Sequence, residues 1–287
     1  MPVTWTDGIC RAIDYIEGNI TEDLSIADIA GQAFMSAYYF QKGFSMLCGF
    51  TVGAYIRQRR LSLAGSELVS TGGKIIDIAL KYGYDSPDSF TKAFSRFHGV
   101  TPTAAMKNGA LIKTFARFKI IISLEGGYIM DYKIVEKESF TIVGMSKNFQ
   151  YASSLAEIPA FWAQHYQKGK NKLVCGIYGV CLDGDTSADE FEYLIADDYA
   201  PGGEVPAGAV TRVIPQYTWA VFPCKGAMPN AIQDTNRKIF SEWLPGSNDY
   251  EIAAGCNVEW YSDPADYPGG LQDENYYSEI WIPVRKK

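Results

Sequence analysis

The feature that most constrains this chain is an internal repeat in its first third. Four residues recur with a shift of 49: Ile26, Asp28, Ile29 and Ala30 match Ile75, Asp77, Ile78 and Ala79. Seven more recur with a shift of 50: Ser36, Phe40, Lys42, Phe44, Ser45, Gly49 and Thr51 match Ser86, Phe90, Lys92, Phe94, Ser95, Gly99 and Thr101. This constant register indicates one supersecondary unit that is built twice.

Each copy predicts two helices joined by a short turn. Ser25 is a good N-cap for the first helix. Phe40, Phe44 and Leu47 follow at the spacing of an inward helical stripe, and Gly49 is a natural helix end. We therefore expect two helix-turn-helix motifs, at about 25–49 and 74–99, whose second helices can enter a DNA major groove.

A third helix is predicted between the copies, from Thr51 to Gly72. About twenty residues make a helix of roughly 30 Å, close to one DNA turn of about 34 Å. Residues 40–119 carry 12 Lys/Arg and 4 Asp/Glu, whereas the whole chain has a net charge of −7. A basic block beside an acidic one indicates two domains with different partners, although a solvated basic face would look the same.

The second copy resembles the signature of the AraC/XylS family of bacterial transcription regulators. It reads "IIDIALKYGYDSPDSFTKAFSRFHGVTP", with I-x-x-I-A, G-[FY]-x-[SD], F-x-[RK]-x-F and G-x-[ST]-P in order. The resemblance covers residues 5–108. It implies base-edge contacts from Tyr38, Gln41 and Lys42 in the first copy and from Pro87, Asp88, Thr91 and Lys92 in the second. Phosphate contacts are expected from basic residues of the predicted helices, Arg57, Arg59, Arg60, Arg96, Lys42 and Lys92.

Side-chain chemistry agrees with these roles unevenly. Glutamine suits adenine, lysine suits guanine and the Thr91 methyl suits thymine. Tyr38 could contact a base, pack on sugar or be a buried anchor. Asp88 is better explained as helix-start chemistry, with Ser86 as N-cap and Pro87 as the first helical residue, because acids favour the positive end of the helix dipole.

The second half changes to strands with one helix in each half of the domain. The pattern predicts an α+β domain with an internal pseudo-two-fold repeat. We expect a multidomain chain: an all-α double helix-turn-helix domain at 1–110, a linker or connecting strand at 111–130, and the α+β domain at 131–287. A strand, a Gly turn and a second strand are predicted over 118–135.

This half resembles the GyrI-like effector-binding domains, through "DYKIVEKESFTIVGM", "IPAFWAQ", "YTWAVFPCKG", "IFSEWLPGS", "VEWYSDP" and "SEIWIPV" in order. The resemblance implies a glutamate, here Glu259, in an aromatic-lined cavity that meets lipophilic cations. Glu279 is a weaker candidate for the same role. The effector-binding residues expected are Trp162, Tyr178, Tyr193, Trp219, Trp243, Glu259, Tyr261 and Trp281.

Other interpretations of this half stay open. Glu259 could face solvent or pair with a nearby lysine or arginine, with the aromatic residues simply forming a core. The domain could also be a small-molecule hydrolase or a ligand-free protein-interaction module. Our expectation is a regulator that binds double-stranded promoter DNA and a small, lipophilic aromatic or cationic effector, with RNA polymerase as a further candidate partner and no enzyme activity.

Composition removes several function classes. Two histidines in separate regions and no CxxC pair argue against a metal site, and no cofactor motif is present. Six scattered cysteines are expected to be reduced core residues. The N-terminus lacks a basic region ahead of an apolar one, and no apolar run approaches membrane-spanning length, so a cytoplasmic location is expected.

Overall fold

The computed structural model describes residues 5–107, 110–119, 130–151, 153–183 and 190–287. The N-terminal part is helical, as predicted. Its helices are α1 (Trp5–Gly18), α2 (Ile26–Gln32), α3 (Ala37–Cys48), α4 (Val52–Thr71), α5 (Ile75–Lys81), α6 (Pro87–His98) and α7 (Pro102–Ala105). Pairs α2–α3 and α5–α6 are the two helix-turn-helix units.

The two units repeat their capping chemistry as well as their sequence. The side chains of Ser36 and Ser86 accept hydrogen bonds from backbone N–H groups at the start of α3 and α6. Gly49 and Gly99 end these helices at φ 69° and 81°, in the left-handed region that glycine adopts without a Cβ penalty. Asp88 lies in the first turn of α6, where it was expected as helix-start chemistry.

The segment that follows α7 is attached to α4 along 110–119. His98 Nε2 lies 2.9 Å from the Leu61 carbonyl oxygen, and its Nδ1 accepts from the Lys113 N–H at 3.2 Å. The Phe118 ring stacks on Tyr55 at 4.6 Å. Residues 118 and 119 are not in a strand. The rest of the strand and Gly turn predicted at 118–127 lies at 120–127, outside the described residues.

The C-terminal part is one antiparallel sheet flanked by helices. Its strands are β1 (Lys133–Lys137), β2 (Phe140–Gln150), β3 (Tyr178–Leu182), β4 (Glu190–Asp198), β5 (Val210–Ile214), β6 (Tyr217–Lys225), β7 (Tyr250–Ile252), β8 (Cys256–Tyr261) and β9 (Tyr277–Lys286). Its helices are α8 (Ser154–Gln167), α9 (Asn230–Lys238), which continues through a π-helical turn at Ile239–Trp243, and α10 (Leu244–Gly246). The motif "EIAAGCNVEWYSD" at 251–263, whose residues read as a single strand, instead holds the end of β7 and all of β8.

Sheet topology confirms the predicted two-fold relation. The strand order is β1-β6-β9-β8-β3-β4-β2-β5, with β7 paired to β9 outside this path. Each strand of one half has its counterpart at the same distance on the other side of the central pair β8–β3, which meets at Val258 and Val180. The first strand of each half is exchanged: β1 pairs with β6 at the edge of the second half, and β5 pairs with β2 at the edge of the first half. Ion pairs join both exchanges, Glu192 with Arg212 on β5 at 2.7 Å and Glu279 with Lys133 on β1 at 3.0 Å.

The sheet buries apolar side chains on both faces. On the face without α8 and α9, the sheet curls so that the Trp281 ring lies 6.0 Å from Tyr178, 6.2 Å from Trp219 and 6.5 Å from Phe140. On the helix face, one apolar cluster runs from α1 and α3 through to the sheet. By contrast, the cluster of Phe90 and Phe94 stays within the helical part.

Matching core substitutions in the two units test this organisation. Phe44 and Phe94 are both completely buried, so Phe44→Ala and Phe94→Ala should each lower the free energy of unfolding by about 3–5 kcal/mol. Leu111→Ala, at a side chain that is 88% exposed, should change it by less than about 0.5 kcal/mol. Urea denaturation followed by circular dichroism measures all three; equal effects from the buried and exposed changes would contradict the cores described.

Candidate effector site and DNA-binding surfaces

A cavity of about 1070 Å³ lies over the centre of the sheet. Its floor is the central pair β3–β8, its walls are α8 and α9, and its cover is α3 of the first helix-turn-helix unit. Since β3 and β8 are related by the two-fold, the cavity sits at the axis of the duplicated domain. It is therefore composite, built by both halves of the sheet and by the N-terminal part.

Glu259 is the acidic side chain on the floor. Its Oε2 accepts hydrogen bonds from Tyr261 at 2.9 Å and from Tyr193 at 3.2 Å. The indole N–H of Trp162 donates to the Tyr193 hydroxyl at 2.8 Å. Burial raises the pKa of both tyrosines well above the ordinary value, and the charge of Glu259 adds to this, so both stay protonated donors at neutral pH.

Strand alternation explains why Glu259 points here. Glu259 and Tyr261 lie on the helix face of β8, whereas Val258 and Trp260 pack in the cluster on the opposite face. The two-fold relates Glu259 to Cys181, the residue after Val180 on β3. Burial raises the pKa of the Cys181 thiol to about 12, so this buried group remains neutral.

The walls are mostly aromatic and apolar. A stripe on α8, Ile158, Trp162 and Tyr166, faces the cavity at a spacing of four residues. Two buried amides also line it: Gln41 Nε2 and Asn236 Oδ1 have no hydrogen-bond partner within the described ranges. They are an unused donor and an unused acceptor, which a bound molecule could satisfy.

The cover is one face of α3. Tyr38, Gln41, Lys42, Ser45 and Met46 line the cavity at the spacing of a helical stripe. Asp183 and Asn257 fix its first turn, because Asp183 Oδ2 accepts from the Tyr38 N–H and Asn257 Oδ1 from the Tyr38 hydroxyl, both at 3.0 Å. The Tyr39 hydroxyl donates to the Cys256 carbonyl at 2.7 Å.

Of the eight effector-binding residues expected from sequence, the structure brings four together. Trp162, Tyr193, Glu259 and Tyr261 line the cavity. The others lie elsewhere: Tyr178, Trp219 and Trp281 pack in the cluster on the opposite face, and Trp243 packs against Tyr132 and Phe222. The cavity is also lined by Tyr276, Phe191 and Asn236, which were not among the eight expected residues. Ile158 and Tyr166 line it too, and the four-residue spacing on α8 was a signal that could have identified them.

Glu279, the weaker candidate, serves the sheet instead. It is buried on the face opposite the cavity and accepts hydrogen bonds from Trp281 at 2.6 Å, Tyr277 at 2.8 Å and Lys133 at 3.0 Å. Burial acts to raise the pKa of Glu279, but these bonds, with that of Lys133 first, outweigh it and the net pKa is lowered. The negative charge of the Glu279 carboxylate is therefore already balanced by these three donors.

The residues expected to meet DNA are divided between two environments. Tyr38 is only 3% exposed and Gln41 9%, and Lys42 is half-buried in the cavity, so this face of α3 cannot touch a duplex in this arrangement. On α6, Pro87, Asp88, Lys92 and Arg96 are exposed and Thr91 is half-exposed. On α4, Arg57 is exposed, whereas Arg59 pairs with Glu17 on α1 at 2.7 Å and Arg60 donates to the Ile20 and Glu22 carbonyls between α1 and α2. Arg59 and Arg60 therefore serve contacts within the helical part.

Comparison with known proteins identifies the family. Residues 133–284, more than half of the chain, match the family model described as integron-associated effector binding protein, and residues 29–108 match a helix-turn-helix domain. The chain is 32% identical to the transcriptional regulator Rob of Salmonella typhimurium, over 97% of this chain and 99% of that protein. This chain is an AraC-type regulator with an effector-binding domain.

Two further relatives are similar over all or part of the regulator. The right origin-binding protein of Escherichia coli K12 is 27% identical over 97% of this chain and 99% of its own length. The solved structure of SAV2435 bound to tetraphenylphosphonium is 23% identical and superposes with a TM-score of 0.46 over 54% of this chain and 94% of its own.

Several negative observations apply to the parts of the regulator that the structure describes. No cluster of three or more His, Cys, Asp or Glu side chains there could hold a metal ion. No described helix combines the length and apolarity that crossing a membrane requires. Of the cysteines, Cys181, Cys224 and Cys256 are buried as expected, Cys48 is half-buried, and Cys10 and Cys175 are exposed, so the core prediction holds for three.

Gly179 on β3 lets the Glu259 network pack closely. A Cβ at this position would clash with the Tyr193 hydroxyl and lie 2.9 Å from Glu259 Oε2. We expect Gly179→Ala to lower the free energy of unfolding by about 1–3 kcal/mol, as overpacking does. Gly31→Ala, where nothing lies within 4 Å, should be neutral or stabilising in thermal unfolding; similar losses in both variants would contradict the close packing.

Proposed function

We propose that this DNA-binding regulator senses a lipophilic organic cation in the cavity over β3 and β8. The observation that supports this most is the Glu259 carboxylate, half-buried among the rings of Trp162, Tyr193 and Tyr261. Both tyrosine hydroxyls bind Oε2, and Oε1 receives no hydrogen bond from the described residues. A cation beside this oxygen would gain charge pairing and contact with aromatic faces together.

The size and lining of the cavity support a ligand of this class. Its volume is slightly above the range typical for small-molecule sites, so it has room for a bulky ligand, and aromatic and aliphatic side chains form most of its wall. Such a wall favours a large apolar body with few polar groups. Asn236 on α9 would recognise one of those groups, because its free amide oxygen lies within the same cavity.

The exposed face of α6 supports base reading by the second helix-turn-helix unit. We propose that Lys92 contacts a guanine and that Thr91 packs on a thymine methyl. Arg57 and Arg96, both exposed, would contact phosphates. Pro87 and Asp88 would lie at the duplex as the start of the helix and would add no base preference.

Lys92→Ala should weaken binding to a duplex enriched by the full chain from a random-sequence pool. Because a charged contact is lost, we expect roughly a tenfold higher Kd and a salt slope reduced by about one. Fluorescence anisotropy at several salt concentrations measures both quantities. Lys238→Ala, at an exposed lysine on α9, is the matched control. Equal effects of the two changes would show that Lys92 makes no specific contact with DNA.

Glu259→Gln should weaken binding of the cationic dye rhodamine 6G. The amide keeps the shape but removes the charge, so we expect about a tenfold higher Kd in a fluorescence titration. Glu274→Gln, at an exposed carboxylate outside the cavity, is the control and should bind as the wild type does. An unchanged Kd for Glu259→Gln would contradict the proposal that the cavity binds a cation. Turnover of an electrophilic compound that depends on Glu259 would favour the hydrolase alternative.

A further inference from the structure

One face of α3 is suited to two incompatible tasks. Tyr38, Gln41 and Lys42 are the positions from which the first unit would read bases, and the same three side chains line the effector cavity. A duplex requires this face to be open to solvent. In the structure it is covered by β8 and the neighbouring strands of the sheet, so DNA and the sheet compete for it.

Lys42 places a charge inside the cavity. Its ammonium donates to the Tyr38 hydroxyl at 3.1 Å and lies 5.4 Å from the Tyr38 ring centroid and 5.8 Å from that of Phe240. Burial lowers the pKa of Lys42, while electrostatic interactions with Cys181 and then with Glu259, which lines the same cavity, act to raise it. The protein's own ammonium thus shares the cavity with aromatic faces and with the Glu259 carboxylate, the surroundings that an organic cation would use.

The repeat shows that this placement comes from the C-terminal domain. Lys92 occupies the position of Lys42 in the second unit, on a helix of the same length with the same caps, and its side chain is exposed. Nothing in the helix-turn-helix geometry therefore requires a buried lysine. The difference between the two is the sheet that covers α3.

We infer that α3 is an internal plug: Lys42 takes the place of the cationic effector near Glu259, and the first unit is withheld from DNA while it does so. This inference rests on the proposed function, because it assigns the effector to the same cavity. A second cation entering beside Glu259 would meet the charge of Lys42, and repulsion between like charges in a poorly solvated cavity is strong. The effector consequently favours an arrangement in which α3 has left the sheet.

DNA favours that open arrangement too. Two ligands that both select the minor, open state bind with positive coupling, and each raises the affinity for the other. Opening separates Tyr38 and Tyr39 from the apolar cluster that α3 shares with the sheet, and it breaks their hydrogen bonds with Asp183, Asn257 and Cys256. These bonds are few and specific, so substitutions in the C-terminal domain can weaken closure without altering any residue expected to contact DNA.

The first experiment removes the internal cation in the full chain. Lys42→Met keeps the apolar stem but loses the charge, and we expect rhodamine 6G to bind roughly tenfold more tightly. Lys92→Met makes the same change at the repeat-related position outside the cavity and should leave the dye Kd as in the wild type. Unchanged or weaker dye binding by Lys42→Met, with Glu259→Gln still impaired, would overturn the plug while leaving the proposed function intact.

The second experiment follows the release of α3 directly. Hydroxyl-radical footprinting of the wild type should show oxidation of Tyr38 and Tyr39, now 3% and 1% exposed, rising several-fold when rhodamine 6G is added. Tyr55 on α4, fully buried against Phe115 and Phe118 of the segment 110–119, is the internal control and should not change. Saturation with dye without a change at Tyr38 and Tyr39 would contradict displacement of α3.

The third experiment needs no effector. Asn257→Ala removes the acceptor of the Tyr38 hydroxyl. Because a buried hydrogen bond of the closed arrangement is lost, the equilibrium should shift toward the open arrangement, and binding to the enriched duplex should become about fivefold tighter. Asn148→Ala, an exposed asparagine on β2, is the control. Tighter DNA binding by Asn257→Ala supports closure even if no dye binds, whereas unchanged or weaker binding overturns it.

Discussion

The contact between α3 and strand β8 is the interaction on which the rest of the arrangement depends. It joins the helical and sheet parts through one apolar cluster, and it turns an open groove between α8 and α9 into a covered cavity. Tyr38 carries much of this contact, since its backbone and its hydroxyl bind different residues of the sheet. Without that contact, the floor around Glu259 would face solvent and its carboxylate would interact with water.

The duplicated sheet explains where the cavity is and why it carries charge on one side. A palindromic strand order places two equivalent central strands at the axis, and the helices α8 and α9 flank them. The two halves differ in the residues that face the cavity, Glu259 on β8 and Cys181 on β3. Because a thiol whose pKa is about 12 carries no charge at neutral pH, the floor offers a cation one anionic side.

The two helix-turn-helix units show how far similar sequences can differ in role. Their caps, helix lengths and inward phenylalanines match, because those features depend on contacts within each unit. Their outer faces differ in exposure because only α3 has the sheet as a neighbour. An internal repeat therefore predicts shared local structure reliably, whereas the surface each copy presents is set by what packs against it.

The sequence alone determined the repeat, the helices and their caps, and the α+β pattern with its two-fold, which follow from periodicity, capping chemistry and strand alternation acting over a few residues. The family came from resemblance to known motifs, and so did the expectation that Glu259 meets an aromatic-lined cavity. Only the tertiary structure decided that Tyr178, Trp219 and Trp281 lie on the opposite face, because alternation relates side chains within one strand, whereas the register between strands decides which of them share a face. Only the tertiary structure placed Lys42 in the cavity, since the contact joins residues more than two hundred positions apart and no local pattern encodes it.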